Sequence, residues 1–592
     1  MLRHGRSNTA RILVACLLIS GQISTLGCIA PWTSKDPQAS APSHDWDEVK
    51  TVGDLTGVVG MNSATIRAIT LVTMLKGTGS DPPPGEARNM VLGEMRTRQI
   101  ENPSQWLAST NTGVIFAEAV IPAGAQKNDI VDVRVIVPPE TDTTSLEYGW
   151  MPETRLTDMA MLGGRMRKGH DIAIAAGPIV LDSVVDGTVT EANQKRGHVL
   201  GGARLLEERP LGLGLVKDHV SIAASSRVGS VINKRFYMFR DGSKQGVANP
   251  QSDKYIELAV HPRYKDNIAR YMRVIRHIPM AVTTPARLEY IAEAEAMLLD
   301  QESTQVGAMK LEAVGKEGIE SLKKGLDSNH ELVRFCAAEA LAYLNEPECI
   351  EPLADAARRN NGFRYRALLA LGSFDDLDVI DALEGLLNAE SAEARYGAFD
   401  QLKKRSSELP SIAGTTLSNG IQLHAIRSAA APMVHFRLKD RAEIAVFGTD
   451  VRLQGDVIFI GQDGLTIRSS GHRKLKVMRF SAGGEEEVRE CSTEVVQLIR
   501  TLTEMDCKYG EVVRTLFGLR NEGYMSVRVE VNAMPRPDRS YIKSSGEEEN
   551  SVESSEMLAD NFTQTGESAK TEESSEVSTS TAGDGTLIPT FD

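Results

Sequence analysis

The stretch Lys76-Gly77-Thr78-Gly79-Ser80 most invites a chemical reading, because small residues beside a lysine can cradle a phosphate. The phosphate loop of nucleotide-binding proteins runs Gly, four residues, then Gly-Lys-Ser/Thr, so that successive backbone N–H groups converge on the phosphates. Here the lysine precedes the glycines, so the order is wrong. A tight turn between the apolar run Leu71 to Leu75 and the prolines Pro82 to Pro84 is the better account, since glycine accepts positive φ. The 11 histidines are scattered without a His-Glu-x-x-His or similar metal-ligand spacing, and no Gly-x-Ser-x-Gly elbow occurs. Asp129 with Asp132, and Glu485-Glu486-Glu487, are carboxylates expected on a turn and a loop. A solvated surface suits them better than acid/base work. Catalytic, cofactor-binding and metal-ligating residues are all expected to be absent, and the chain is expected not to be an enzyme.

Cysteine carries one further chemistry. Arg3, Arg6 and Arg11 precede an apolar run, Ile12 to Ser20, too short to span a bilayer, which reads as an export signal. It ends at Ser24-Thr25-Leu26-Gly27-Cys28, which resembles a bacterial lipoprotein box with Thr25 in place of the usual Leu. Cys28 would then be the lipidated first residue of the mature chain; an ordinary secretory signal is the alternative. Cys336, Cys349, Cys491 and Cys507 remain. A helix between Cys491 and Cys507 would hold them roughly 20 Å apart, beyond the ~7 Å reach of a disulfide. Cys336 and Cys349 read as small buried apolar residues.

The chain has 592 residues, 41% hydrophobic and only 5% aromatic, enough for three or four domains. Its net charge is −14, but Ser544 to Asp592 holds twelve acidic residues and one Lys, or −11 of that total. The rest is close to neutral, which gives no basic surface for nucleic acid. The positioning elements are read from periodicity. Val114 to Pro122 and Ile130 to Val137 form two strands, the second with Val131, Val133, Val135 and Val137 on one face and Asp132 and Arg134 on the other. Further strands are expected at Asp171 to Ala176, Ile179 to Val185, Val199 to Leu206, Val220 to Ala223 and Tyr255 to Val260. Helices are expected at Tyr264 to Arg276 and Ala286 to Glu295.

An internal repeat follows. Ile319-Glu320-Ser321-Leu322, Ile350-Glu351-Pro352-Leu353 and Ile380-Asp381-Ala382-Leu383 are spaced by 31 and 30 residues, and Arg334, Arg364 and Arg395 by 30 and 31. Two amphipathic helices per unit is an α-solenoid pattern, and units of this kind must stack to bury their apolar faces. It resembles the short bacterial HEAT-like repeat, with a leading helix Thr304 to Val314. Strands return at Ala442 to Phe447, Val457 to Gly461, Leu465 to Ser469 and Leu475 to Phe480. Helices Glu494 to Glu504 and Gly510 to Arg520 precede a strand Met525 to Val531. The Ser/Thr/Glu-rich remainder cannot form a core.

Taken together, Leu71 to Asp81 with its Gly-Thr-Gly loop, the 114–137 strand pair, Thr143-Thr144-Ser145-Leu146, Ile256 to Val260 with Asn267 to Arg270, and Ala286 to Glu295 resemble the flagellar P-ring protein family. The closing helix–helix–strand is similar to the carboxyl end of that family. The fold class expected is α+β: a strand-rich P-ring-like body, an inserted α-solenoid of HEAT-like helix pairs and a disordered acidic tail. The segments are 1–28, a lipoprotein-type signal peptide; 29–50, a Pro/Ser/Asp-rich spacer; 51–300, the P-ring-like body; 303–406, the repeats; 420–484, a β-rich segment; 485–535, the P-ring-like carboxyl unit; and 536–592, the tail. The resemblance implies a structural subunit, copies of which close into a ring around the flagellar rod in the periplasm and act as a bushing for motility. Its implied partners are itself, the rod and the outer-membrane L-ring, with peptidoglycan or another envelope protein met through the repeats and a membrane through the Cys28 lipid. Exposed strand edges at 110–140 and 525–531 are expected to supply ring contacts, and the repeats to project as an arm. The alternative is an envelope scaffold lipoprotein that recruits partners through the repeats.

Overall fold

The alternating residues of 113–137 build a closed barrel. In the computed structural model, which describes residues 51–539 except 163–164, 187–189, 241, 281–282, 462–463 and 481–485, six strands pair antiparallel around a ring. In spatial order they are Ala64–Val72, Gly113–Ile121, Ile130–Ile136, Arg196–Leu205, Arg165–Pro178 and Trp150–Leu162. Closure comes from Ile130 opposite Arg204 and Ile136 opposite Arg196, with Arg67 opposite Thr157. Small side chains suit so narrow an interior: Ala68, Ala117, Ala119, Ala173, Ala175 and Ala203 fill it with Ile66, Val133 and Leu156. A register shift between Val131 and Val133 leaves Val131 half-buried while Val133 and Val135 are buried. Strands Gly113–Ile121 and Ile130–Ile136 therefore have a partner on both edges, and the free edge expected at 110–140 does not exist. The strand Ala64–Val72 is apolar on both faces because Ile69 and Leu71 meet Val91, Leu92 and Met95 of a covering helix, Glu86–Thr97.

A second sheet, in the order Thr56–Val59, Leu211–Leu215, Tyr255–Leu258 and Ala248–Pro250, lies beside the helix Ile222–Arg235. The strand expected at Val220 to Ala223 is the start of that helix: Ser221 Oγ caps Ala224 N–H, and Ala224, Val228 and Ile232 recur every four residues as its buried stripe. Ile179 to Val185, also expected as a strand, is a two-residue strand, Val180–Leu181, followed by a helical turn, Ser183–Asp186. A 3-10 turn, Pro262–Tyr264, leads to the helix Ile268–Arg276, and Thr284–Leu299 closes this part.

The solenoid follows the repeat. After Thr304–Val314 come the pairs Ile319–Leu326 with Glu331–Leu344, Ile350–Arg359 with Asn361–Gly372, and Asp378–Leu386 with Ala392–Arg405. The repeated arginine is the fourth residue of each second helix and has a common task. Arg334 donates to Ser328 O at 2.7 Å, Arg364 to Ala357 O at 2.9 Å and Arg395 to Glu390 O at 3.4 Å, so each reaches back to a carbonyl in the last turn of the first helix or just beyond it; Arg395 also donates to Ala431 O at 2.7 Å.

Beyond the solenoid a five-stranded sheet runs Gly414–Thr416, Gln422–Ile426, Arg441–Phe447, Met433–Lys439, Arg528–Val531, and a four-stranded antiparallel sheet runs Ile458–Ile460, Leu465–Gly471, Lys474–Phe480, Glu486–Ser492. Helices Val495–Glu504 and Tyr509–Asn521 pack between them and the barrel. One apolar core continues from the barrel interior through Leu423, Phe436 and Val446 to Leu498, Val512 and Leu516. The architecture is α+β with a HEAT-like solenoid, and the solenoid does not stand away as an arm: the described residues, 51–539, all fall in one compact unit.

Candidate functional site

The Gly-Thr-Gly loop is a rivet. Gly77 N–H donates to Asn111 Oδ1 at 3.2 Å, Gly79 N–H to Thr110 O at 2.8 Å and Thr78 Oγ1 to Ser145 O at 2.8 Å, while Thr144 N–H donates to Thr78 O at 2.9 Å. These bonds tie the end of strand Ala64–Val72 to the 110–112 and 143–145 loops. The N–H groups of Gly77 and Gly79 are thus spent, and the Lys76 ammonium sits 3.3 Å from the centre of the Tyr148 ring. Gly77 needs its positive φ of 79°, and a Cβ on Gly79 would fall 2.0 Å from Thr112 O.

Of the carboxylates singled out in the sequence, Asp129 is exposed and caps Gln126 N–H, as a turn residue should. Asp132 is not simple solvated surface. It is half-buried and accepts from Gly201 N–H at 2.6 Å and from Asp440 N–H at 2.9 Å, latching the barrel to the tight turn between strands Met433–Lys439 and Arg441–Phe447. Its burial pushes the carboxyl up, only partly offset by those two N–H donors. Glu486 and Glu487 open an exposed strand, and Glu485 lies outside the described residues, as does Cys28 with the rest of the expected signal peptide. Cys336, Cys349 and Cys507 are buried free thiols and Cys491 is half-buried; burial pushes Cys336 up to about 11 and Cys507 to about 12, away from reactive thiolate.

The strongest concentration of polar chemistry sits where the solenoid begins. Arg270, from helix Ile268–Arg276, is fully buried and grips two solenoid carboxylates that are equally buried: Glu312 at 2.5 Å and Glu339 at 2.6 Å. Tyr264 Oη donates to Glu312 at 2.6 Å and stacks on Tyr343 at 4.7 Å between ring centres. Arg366 completes the group with two hydrogen bonds to Glu339. Two cations and two anions balance. Burial alone would raise both carboxyls. For Glu339 the paired charges of Arg270 and Arg366 win and hold it at about 2, whereas for Glu312 burial wins over Arg270. Alongside, Arg263 reaches Tyr343 O, Asn345 and Asp375, so one body segment touches successive repeats.

A second buried network closes the other end. Glu443 on strand Arg441–Phe447 accepts from Arg441 at 2.8 Å, from Tyr396 Oη at 2.5 Å and from Lys403, the last two on the final solenoid helix. Asp400 on that helix pairs with Arg441 at 3.1 Å and Arg437 at 3.3 Å. Despite its burial, Glu443 is held at about 2 by Arg441 and Lys403. His435 stacks on Tyr396 at 3.5 Å and accepts from Ala533 N–H; burial drives it down to about 3, so it is neutral. These clusters were not singled out in the sequence. The signal was there in one form: Glu312 and Glu339 are the charged residues among the otherwise mostly apolar buried residues of their helices.

Among the described residues no group of His, Cys, Asp and Glu is arranged to hold a metal ion. The conspicuous polar groups are instead spent on joining parts of the fold, which defines a structural body with a clamped solenoid. Residues 51–302 match the flagellar P-ring protein family, and residues 308–408 match HEAT repeats. Over 51–302 the chain is thus similar to the P-ring family, and the repeats follow directly. That match stops at 302, short of the carboxyl helix–helix–strand. No curated protein matches the chain.

Proposed function

We propose that this protein is a structural subunit of a flagellar P-ring-like ring, closed around the rod in the periplasm and acting as a bushing rather than as an enzyme. The observation that carries the reading is the P-ring family match over 51–302, the region that forms the barrel and its neighbouring sheet. Rings arise from head-to-tail contacts whose rotation closes. The barrel strands have no edge to give, but Thr56–Val59 is an edge strand with Val58 and Val59 exposed, and Arg528–Val531 pairs on one side alone. Either can add a strand from a neighbouring copy. That the 421–531 region shares its core with the barrel supports reading it as the completion of the same body. The rod and the outer-membrane L-ring are the partners this role entails, and an exported chain lipidated at Cys28 would be held at a membrane. Electron microscopy of particles solubilised from envelopes tests the reading. A closed ring of defined copy number is expected, with loss of motility when the gene is deleted; monomers in a strain that stays motile would overturn it.

An envelope scaffold that recruits through the repeats remains the alternative. Its test cannot be deletion of residues 303–406, because that removes both anions from Arg270. Charge reversals on the exposed first helices, at Glu320, Glu351 and Arg358, leave the clamps intact and ask the question cleanly.

A further inference from the structure

The four-stranded sheet at 458–492 has one face in the core and the other bare. Inward go Phe459, Leu465, Ile467, Leu475 and Val477. Outward, the register places Ile460, Thr466, Met478 and Val488 side by side across all four strands, with Phe480 next to Met478 on its strand. Ile460 is 72% and Phe480 53% exposed, and the row, apolar but for Thr466, is of the kind that marks an interaction site. The adjoining row is Ile458, Arg468, Lys476, Glu490, and beyond it come Arg473 and Lys474 at the hairpin tip. Arg468, Arg473, Lys474 and Lys476 form no ion pair among the described residues; Glu486 and Glu490, on the outer strand, are the acidic groups of this face. The face thus grades from apolar at one end to cationic at the other.

We propose that this face is the docking site of the chain's own carboxyl-terminal segment. That segment has the matching composition: −11 over Ser544 to Asp592, then an apolar end, Leu587-Ile588-Pro589-Thr590-Phe591. Its carboxylates would meet Arg468, Lys476, Arg473 and Lys474 while Leu587, Ile588 and Phe591 cover the apolar row. Reach is not limiting. The last described residue, Arg539, is tied to Glu393, and Leu587 lies 587 − 539 = 48 residues further on. A flexible chain of that length spans roughly 35–40 Å. Tethering also holds the end at an effective concentration near the millimolar range, so a weak patch suffices. The tail then caps an adhesive surface until a competing partner displaces it.

Replacing Phe591 in the full chain by photoreactive benzoylphenylalanine and mapping the adducts tests this. Cross-links are expected on 458–480 with a yield that does not change on tenfold dilution. The yield should fall at least about fivefold in R468E/K476E, the scale of reversing two exposed pairs, and again at molar salt, where the screening length shrinks to ~3 Å. Glu572→Lys with Glu573→Lys and Glu576→Lys, which leave every described residue unchanged, should reproduce the fall. Adducts elsewhere, or a yield insensitive to both sets of reversals, would overturn the proposal; a yield that drops with dilution would assign the face to a second copy instead.

Discussion

Replacing Arg270 by Met isolates the buried charge at the start of the solenoid. Methionine fills much of the space of the arginine stem but leaves Glu312, fully buried, with only Tyr264 Oη as a partner, while Glu339 keeps Arg366. An uncompensated buried ion costs ~3–5 kcal/mol. Glu312 has an escape, since it can take up a proton, and its carboxyl is raised above its ordinary 4.5 even beside Arg270. Protonating it in the folded state at pH 7, against an unfolded value of 4.5, costs about 1.4 × (7 − 4.5) = 3.5 kcal/mol, which caps the loss. The sign follows. The penalty shrinks by about 1.4 kcal/mol for each unit that pH falls towards 4.5, so R270M should lose about 3 kcal/mol at pH 7, about 2 at pH 6 and under 1 at pH 5, relative to wild type. The double variant R270M/E312Q removes the charge itself and should recover most of the loss with a flat pH dependence. Hydrogen exchange read by mass spectrometry over Thr304–Val314 and Glu331–Leu344 measures the local opening, which avoids assuming that so large a chain unfolds in two states. Equal losses in R270M at pH 7 and pH 5, or a double variant no more stable than the single, would refute the reasoning.

In the Gly-Thr-Gly loop, Gly79→Ala should cost well over 2 kcal/mol, because backbone must move to relieve a 2.0 Å contact, whereas Gly77→Ala, in open space at positive φ, should cost only about 1; the two melting temperatures decide. Asp132→Ala strands the Gly201 and Asp440 N–H groups and should cost about 2–4 kcal/mol, with exchange rising at the 439–441 turn but not in the helix Glu86–Thr97. His435, neutral through burial, stabilises the fold fully above pH 6.5, and that contribution is lost as pH falls towards about 3. The slope this adds is at most about 1.4 kcal/mol per pH unit, and H435Q, which still accepts from Ala533 N–H, should flatten thermal stability between pH 6.5 and 4; an unchanged slope would show that His435 is not the group responsible.

Periodicity made the solenoid legible, because each repeat must satisfy the same local demands and so repeats its residues, down to the arginine that reaches back to the preceding helix end. The barrel was legible strand by strand but not as a barrel. Alternation says that Val133 and Val135 face inward; it does not say that residue 136 meets residue 196, and that pairing removes the edges expected at 110–140. Strands Trp150–Leu162 and Met433–Lys439 were missed because their polar residues, Thr154, Thr157, His435 and Arg437, are buried where a hydropathy pattern reads exposure. The helix Ile222–Arg235 was missed for the opposite reason: its buried stripe includes Ala224, Ser225 and Gly229, too small to register as apolar. The ionic clamps escaped because their members are far apart in sequence, and pairing Arg270 with Glu339 requires the fold first.

Those clamps decide what the repeats are free to do. The second helices of the solenoid are the more deeply buried of each pair, and residues 263–270 of the body and the 433–447 strands lie against them. Part of the charge that the first helices show to solvent is already paired nearby, as in Lys323 with Glu348, Lys324 with Glu295 and Arg358 with Asp355. Such pairs add little affinity for a partner. The solenoid is therefore fastened at both ends, to the 263–270 segment and to the 433–447 strands, through two buried ion networks. The apolar row proposed above as a docking face lies elsewhere, on the 458–488 sheet, with Ile460 and Phe480 exposed.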